Sequence, residues 1–484
     1  MKQNFQAFLQ KYGSCLLFVS AALLYFSIEI MGVVDVRWVH EDEPWYGNPA
    51  YNLLHGKGLI NDITGSGGNA NYVMPLLISL SMSIFGDTLF AIRFTSVICG
   101  VFFLLFLYLI MKQFRTDWKT QCWTYALFIA IADFNIVFRF GRPECAAITF
   151  CLAGILCFWF YRQQYKWYWM LLLSLTAYLA ACSHPFALLL FACIGAELLY
   201  EAYENWSWKQ VALLLMLLFS AGAVLFSISY VNAIVQDISF AAGAEVLHTR
   251  TAMPDNFVER LWDYVKEVFI SKHTLYTIPS LVLLLIVSCK KSLAFAQRLS
   301  WIGIAFVVIY PFLFSSDKAM IANATCYLCS ISLVVFAYIF PIWRTSLALK
   351  WQNPMQIALA AYIVLNFAII TIFNWYFRYD KINSILQEEI DAVIPDGSKV
   401  YGTQDMWCFK MNSNFRSIVS RLPDREPEYY DYVLTDERLE TKYDSNFLVT
   451  FHQMVDYAEE NWQLVYCRNS KQYGKIRVFK NPHK

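Results

Sequence analysis

The chain has 484 residues, 58% of them hydrophobic and only 15% charged, with a formal net charge of +1. Ordinary soluble domains carry about 25% charged residues, so this composition excludes a soluble globular chain. The apolar runs near 20 residues point instead to a polytopic helical membrane protein, and no basic block suits a nucleic-acid partner.

Residues 1–13 are short and polar, with Lys2 and Lys11 ahead of the apolar run 14–34. That run lacks a small-residue cleavage site, which predicts a retained helix. The lysines before it predict a cytoplasmic N-terminus, and residues 35–87 then form a first external loop. This loop carries His40-Glu41-Asp42-Glu43-Pro44-Trp45-Tyr46, three consecutive carboxylates followed by a proline and two aromatics. Pro44 suits the first turn of a helix, and acids there complement its dipole. Tyr46, Ala50, Leu53 and Leu54 recur at helical spacing and Gly56 and Gly58 end the pattern, which predicts a short surface helix. The turn Gly65-Ser66-Gly67-Gly68 lacks the Lys-Ser/Thr of a phosphate-binding loop.

The run 73–86 is short for a span and predicts a re-entrant or partly inserted helix. Spans are predicted at 88–112, 120–138, 144–161, 167–182, 185–201, 209–231, 275–289, 300–315, 319–341 and 355–376. If 73–86 does not cross, the inner turns hold Lys112, Arg115 and Lys119, then Arg162 and Lys166, Lys209, Lys290, Lys291 and Arg298, and finally Arg344 and Lys350. Every inner turn is then basic, as the positive-inside rule expects. The pattern predicts about eleven spans and an external C-terminus.

The external loop 232–274 holds a helical stretch around Asn256–Lys272, and no internal repeat is visible. Residues 377–484 are polar. Lys399–Gly402 and Tyr430–Thr435 read as strands, Asp444–Asn461 holds a helix, and Gln463–Cys467 with Lys475–Lys480 reads as a hairpin turning at Tyr473-Gly474. This predicts a membrane module over 1–376 and a small extracytoplasmic α/β domain over 377–484. Eleven of the 13 cysteines lie in or beside apolar runs, where they act as small hydrophobes. Cys408 and Cys467 are in the polar tail, where a disulfide is an option outside the cell.

With this topology the external side collects Asp35, Arg37, His40, Glu41, Asp42, Glu43, Arg139, Arg142, Glu144, His184, Asp317 and Lys318. A lipid-linked anionic substrate needs this mixture: cations for its phosphate and a carboxylate for proton transfer. Each residue also has a plainer reading. The acids can cap the surface helix; Arg139 and Arg142 can snorkel to headgroups; Glu144 can be a first-turn acid; His184 can be a structural histidine; Lys318 can pair with Asp317. Glu29, inside the first span, faces either the bundle or lipid.

The motif His40–Tyr46, with Asn48-Pro49-Ala50-Tyr51-Asn52-Leu53-Leu54-His55-Gly56-Lys57-Gly58 after it, resembles the Asp-Glu motif and surface helix of the GT-C membrane glycosyltransferases. It is most similar to the protein O-mannosyltransferase-like group, which includes lipid A aminoarabinose transferases and lipopolysaccharide-core galacturonosyltransferases. Pro75-Leu76-Leu77, Phe85-Gly86 and Ala91-Ile92-Arg93-Phe94 resemble further elements of that group, as do Arg142-Pro143-Glu144 and Ser183-His184-Pro185. The resemblance implies a GT-C-like fold and inverting transfer of a hexosyl or pentosyl group. The donor is a polyprenyl-phosphate sugar, and the acceptor is a glycan, lipid or protein on the outer face of the cytoplasmic membrane. It matches Asp42 to the general base and Glu43 to its neighbour, and it sets Arg142, Arg93 and His184 toward the donor phosphate, with Lys318 as a substitute cation. It makes no cofactor certain; a divalent metal held by a carboxylate and His184 is an option, although Asn69–Pro75 lacks the acid found in metal-bearing relatives. Two other readings are a transporter or lipid flippase, which predicts repeats and midplane charges, and an O-antigen ligase or polymerase, which predicts a large late external loop.

Overall fold

A computed structural model describes residues 2–63, 72–184, 186–204, 207–212, 215, 257–271, 273–313, 318–346, 349–378, 381–417, 426–442 and 449–484. The helices in chain order are α1 (Lys2–Ile30), α2 (Asp42–Leu54), α3 (Val73–Phe85), α4 (Leu89–Gln113), α5 (Trp118–Ala130), α6 (Ala132–Val137), α7 (Glu144–Gln164), α8 (Trp167–Ser183) and α9 (Ala187–Glu204). They continue as α10 (Phe257–Phe269), α11 (Thr274–Ser288), α12 (Ala294–Leu313), α13 (Lys318–Ser346), α14 (Leu349–Arg378) and α15 (Ile382–Val393). Among the described residues, 6 helices are long and apolar enough to cross a membrane, beginning with Tyr12–Ile30 and ending with Trp351–Tyr376. Leu23, Leu24, Ile357, Val364, Ile372 and Trp375 on the two outermost of these are exposed. An apolar surface of that kind is stable only in lipid, and the chain is a multi-pass membrane protein. The expected span 209–231 lies almost wholly outside the described residues, as does 232–256 of the loop after it.

The short helix α3 does not cross. Its 13 residues reach about 20 Å at the rise of an α-helix, less than the apolar thickness of a bilayer. Its start meets Tyr178 near the end of α8 and Cys145 at the start of α7. Its end packs Phe85 on Phe90 and Phe94 at the start of α4. Chain direction puts those three places at one end of the bundle, so α3 returns to the end it left. The opposite end is tied by Arg162 at the end of α7 to Glu201 at the end of α9 (2.8 Å), by Arg298 to Glu197, and by Arg344 to Asp117, the N-cap of α5.

The expected span 120–138 is broken. Ile131 is extended, at φ −79° and ψ 110°, and separates α5 from α6. The break restarts a helix with Asp133 in its first turn, where the dipole favours an acid.

The tail forms a five-stranded sheet in the order β2-β1-β3-β5-β4. Its strands are β1 (Lys399–Gly402), β2 (Asn414–Ser417), β3 (Tyr432–Asp436), β4 (Gln463–Ser470) and β5 (Gly474–Lys480). β2, β1 and β3 run parallel, while β5 pairs antiparallel with both β3 and β4. The expected strands, hairpin and helix (Val449–Asn461) are all present, and β2 and α15 are additions to them. Gly402 is required by close approach: a Cβ there would lie 2.1 Å from the Leu434 carbonyl oxygen on β3. Cys408 is buried and Cys467 exposed, and both are free thiols. One buried apolar cluster runs without a break from Met74, Ile78 and Ile92 in the helices to Trp407, Phe409 and Phe415 in the tail. The tail is therefore seated on the bundle, against α2, where Trp407 meets Tyr51 edge-on at 6.1 Å.

Candidate active site

The first turn of α2 sorts the acid run. Successive residues on a helix point about 100° apart, so adjacent acids meet different surroundings. Glu43 turns inward and is fully buried. Its Oε1 accepts from Arg93 Nε (2.7 Å) and Gly141 N–H (3.1 Å), and its Oε2 accepts from Arg93 Nη2 (2.8 Å) and His40 N–H (2.7 Å). Arg93, equally buried, gives its other hydrogens to the carbonyls of Val33 (2.9 Å), Val34 (2.8 Å) and Trp38 (3.1 Å). This is a bidentate pair with its remaining hydrogen-bonding capacity filled by backbone, the condition under which a buried ion pair is tolerated. Gly141 fits here because a Cβ would lie 2.2 Å from Ile92 Cγ2.

Asp42 turns outward, with its side chain 43% exposed. Its Oδ2 lies 3.3 Å from Arg142 Nη2 and 3.4 Å from His40 Nδ1. Arg142 grips Glu144 with two bonds, Nε to Oε2 at 3.2 Å and Nη2 to Oε1 at 2.6 Å, and its Nη1 meets His40 Nε2 at 3.3 Å. The other ring nitrogen, Nδ1, accepts the Asp42 N–H at 3.2 Å, so donors approach His40 from both sides: a guanidinium and a backbone amide. Burial, reinforced by the Arg142 charge, holds the His40 imidazole down to about 3, so this ring is neutral. Burial opposes the Arg142 charge, but the carboxylates of Glu144 and Asp42 outweigh it and push the guanidinium above its ordinary value. His184 closes the row, with Nε2 3.9 Å from Glu144 Oε1 and Nδ1 accepting from Phe186 N–H at 3.4 Å.

The sequence candidates therefore fall into two layers. Asp42, Arg142 and His184 share the outer layer, joined through Glu144 and His40. Glu43 and Arg93 form the layer beneath. The side chain of Lys318 lies outside the described residues. Arg139 is not a headgroup anchor: it is buried, bonded to Glu29 (2.8 Å) inside the bundle and to Asn374 (2.7 Å). A further buried group, Asp133 with His273 (3.0 Å) and Thr325 (2.9 Å), carries no sequence signal, since its members are far apart in the chain. Among the described residues no three His, Cys, Asp or Glu side chains converge as metal ligands, and His184 with Glu144 supplies two.

Residues 70–230 match the model of the family described as dolichyl-phosphate-mannose-protein mannosyltransferase. The matched segment contains Arg93, Arg142, Glu144 and His184 and begins after Asp42 and Glu43. Two solved structures of ArnT from Cupriavidus metallidurans align over 97% of this chain and 98% of theirs, each with a TM-score of 0.59. One is bound to undecaprenyl phosphate, at 11% identity, and the other is in the apo state, at 10%. The chain has the fold of these ArnT structures. No curated protein sequence matches it. The resemblance, read over residues 14–345, thus holds for the fold, and the tail is part of the likeness, because the alignment covers nearly the whole chain. Within this fold, the outer layer offers one half-exposed carboxylate beside one partly buried, doubly held cation. That pairing can take a proton at one point and stabilise a departing anion at the next.

Proposed function

We propose that the chain is an integral membrane glycosyltransferase. It moves a hexosyl or pentosyl group from a polyprenyl-phosphate donor to a hydroxyl of a glycan, lipid or protein acceptor, with inversion. The observation that carries this reading is the 3.3 Å approach of half-exposed Asp42 to Arg142, in a GT-C fold shared with a protein solved with undecaprenyl phosphate. Asp42 takes the proton of the acceptor hydroxyl, whose oxygen forms the new bond to the anomeric carbon. The bond from that carbon to the phosphate oxygen breaks, and the lipid phosphate leaves with the electron pair. A phosphate needs cations rather than an acid to leave, and Arg142 and His184 supply that stabilisation, with Lys318 as a further cation. Arg93 acts from beneath, by holding Glu43 and the residue 33–38 backbone.

A retaining route needs a carboxylate nucleophile on the sugar. Glu43 has both oxygens occupied and no exposure, and Glu144 is engaged by Arg142. The reading takes Asp42, the open carboxylate, as the base of a single displacement, which inverts the anomeric centre.

The site lies at the end of the bundle remote from Lys112, Arg115, Arg162, Arg298 and Arg344. Basic ends face the cytoplasm, so the reading places the chemistry and the C-terminal domain on the outer side of the cytoplasmic membrane, with the N-terminus inside.

The test uses purified full-length protein in lipid nanodiscs, a panel of undecaprenyl-phosphate sugars and envelope membranes as acceptor source. One donor of the panel is expected to be consumed with release of undecaprenyl phosphate, and the product to carry the anomeric configuration opposite to the donor. Retained configuration, or no transfer from any polyprenyl-phosphate sugar, would overturn the reading.

A further inference from the structure

The residues just ahead of Asp42 are fixed from two sides. From the membrane side, Arg93 takes the carbonyls of Val33, Val34 and Trp38. From the other side the contacts come from the tail, more than three hundred residues away in sequence. Asn383 on α15 donates to the carbonyls of Val34 (2.6 Å) and Arg37 (2.7 Å). Tyr473, in the turn between β4 and β5, accepts the Val39 N–H at 2.7 Å and donates to Asn383 Oδ1 at 2.7 Å. Ser384 holds Asp35 with its N–H (2.9 Å) and hydroxyl (2.7 Å). Closer to the acid run, Gln404 donates to the Glu41 carbonyl at 2.8 Å, and Arg438, stacked over Trp38 and bonded to Asp405, lies 3.9 Å from the Glu41 carboxylate.

The Tyr473 hydroxyl is the hinge-pin of this arrangement. Tyr473, Asn383 and Val39 are all fully buried. The Val39 N–H is buried with them, so removing that hydroxyl leaves a buried donor unsatisfied and favours a shift of the 33–39 segment that recovers a partner. Val39 is three residues from Asp42, and a displacement near 1 Å costs an active site up to about 10²-fold in rate.

We propose that Tyr473 is a positioning residue for the transfer reaction: bridging Val39 and Asn383, its hydroxyl sets the place of Asp42 relative to Arg142, so that the C-terminal domain completes the active site. This rests on the glycosyltransferase reading and on Asp42 as its base. The donor-binding cations lie outside this clamp, so the effect belongs in kcat and not in donor affinity.

The experiment compares full-length wild type, Tyr473→Phe, Gln404→Ala, Tyr457→Phe and Asp42→Asn in nanodiscs. Rates are divided by the fraction of molecules that bind undecaprenyl phosphate, which removes any loss through misfolding. Tyr473→Phe is expected to lower kcat about tenfold with donor KM and undecaprenyl phosphate affinity within about twofold of wild type. Gln404→Ala, which releases the Glu41 carbonyl, is expected to lower kcat in the same way. Tyr457→Phe removes a bond to Glu428 within the tail itself and is expected to leave kcat unchanged. The proposal is overturned if Tyr473→Phe turns over at the wild-type rate per binding-competent molecule, or if Tyr457→Phe falls as far. Asp42→Asn separates the two failures: an inactive Asp42→Asn beside a fully active Tyr473→Phe removes only the positioning role, whereas an active Asp42→Asn removes the base itself.

Discussion

Asp42 and Glu43 are neighbours of the same charge, and in the sequence nothing but resemblance separates them. Their surroundings do: four hydrogen bonds and no exposure for Glu43, an open carboxylate for Asp42. Arg93 was singled out only by the resemblance, as a cation toward the donor phosphate, and its partner was not legible, because a buried pairing across 50 residues of sequence leaves no local pattern. His40 and Glu144 were visible as polar residues without a role; the roles come from Arg142, which touches both. Two predictions belong here. Arg142→Lys replaces a planar fork by a point charge and loses the two-bond grip on Glu144, so undecaprenyl phosphate affinity should weaken about tenfold and kcat should fall, as titrated by tryptophan fluorescence and steady-state rates. His40, with an imidazole held below its ordinary 6.5 to about 3, should make stability pH-dependent. A depressed histidine stays neutral in the folded state and protonates first in the unfolded one. Its stabilising contribution is complete above about pH 6.5 and is lost as pH falls toward 3. Thermal unfolding from pH 8 to 4 should show a steeper acid loss for wild type than for His40→Asn.

At the scale of elements, hydropathy and turn chemistry made most helices legible to within a few residues, as with the expected 167–182 against Trp167–Ser183. The short run 73–86 was also readable as non-crossing, because it is short for a span and the later turns are basic on the inner side only if it does not cross. The break at Ile131 was not: Asp133 and Asn135 follow it, but the partners of Asp133, His273 and Thr325, lie far away in sequence. In the tail, β1 was marked by its residues and β2 was not: a four-residue edge strand has too little alternation to read. Gly402 gives the prediction at this scale. Gly402→Ala drives a methyl into the Leu434 carbonyl on the neighbouring strand, where neither backbone can yield. It should destabilise the tail by about 1–3 kcal/mol, seen as earlier unfolding of the full chain and greater protease sensitivity of residues 381–484.

Across the whole molecule, the lateral ion pairs give the bundle two distinct ends, and the charge bias along the sequence assigned Arg162, Arg298 and Arg344 to one and Asp42, Arg142, Glu144 and His184 to the other. Arg162, Glu201, Arg298, Glu197, Arg344 and Asp117 meet at one; Asp42, Arg142, Glu144 and His184 meet at the other. The seating of the tail on α2 was beyond reach of the sequence, because its contacts join residues such as Val39 and Tyr473 that lie at opposite ends of the chain. Two exposed cysteines report the orientation: Cys467 in the tail and Cys289 at the basic end. In spheroplasts a membrane-impermeant maleimide should label Cys467 and leave Cys289 unlabelled, and the reverse pattern would turn the protein over. The central claim is that Asp42 is the base of the transfer. Turnover of Asp42→Asn, measured per molecule able to bind undecaprenyl phosphate, should fall by about 10²-fold or more while that binding persists. Wild-type turnover in a variant that binds the lipid normally would contradict it.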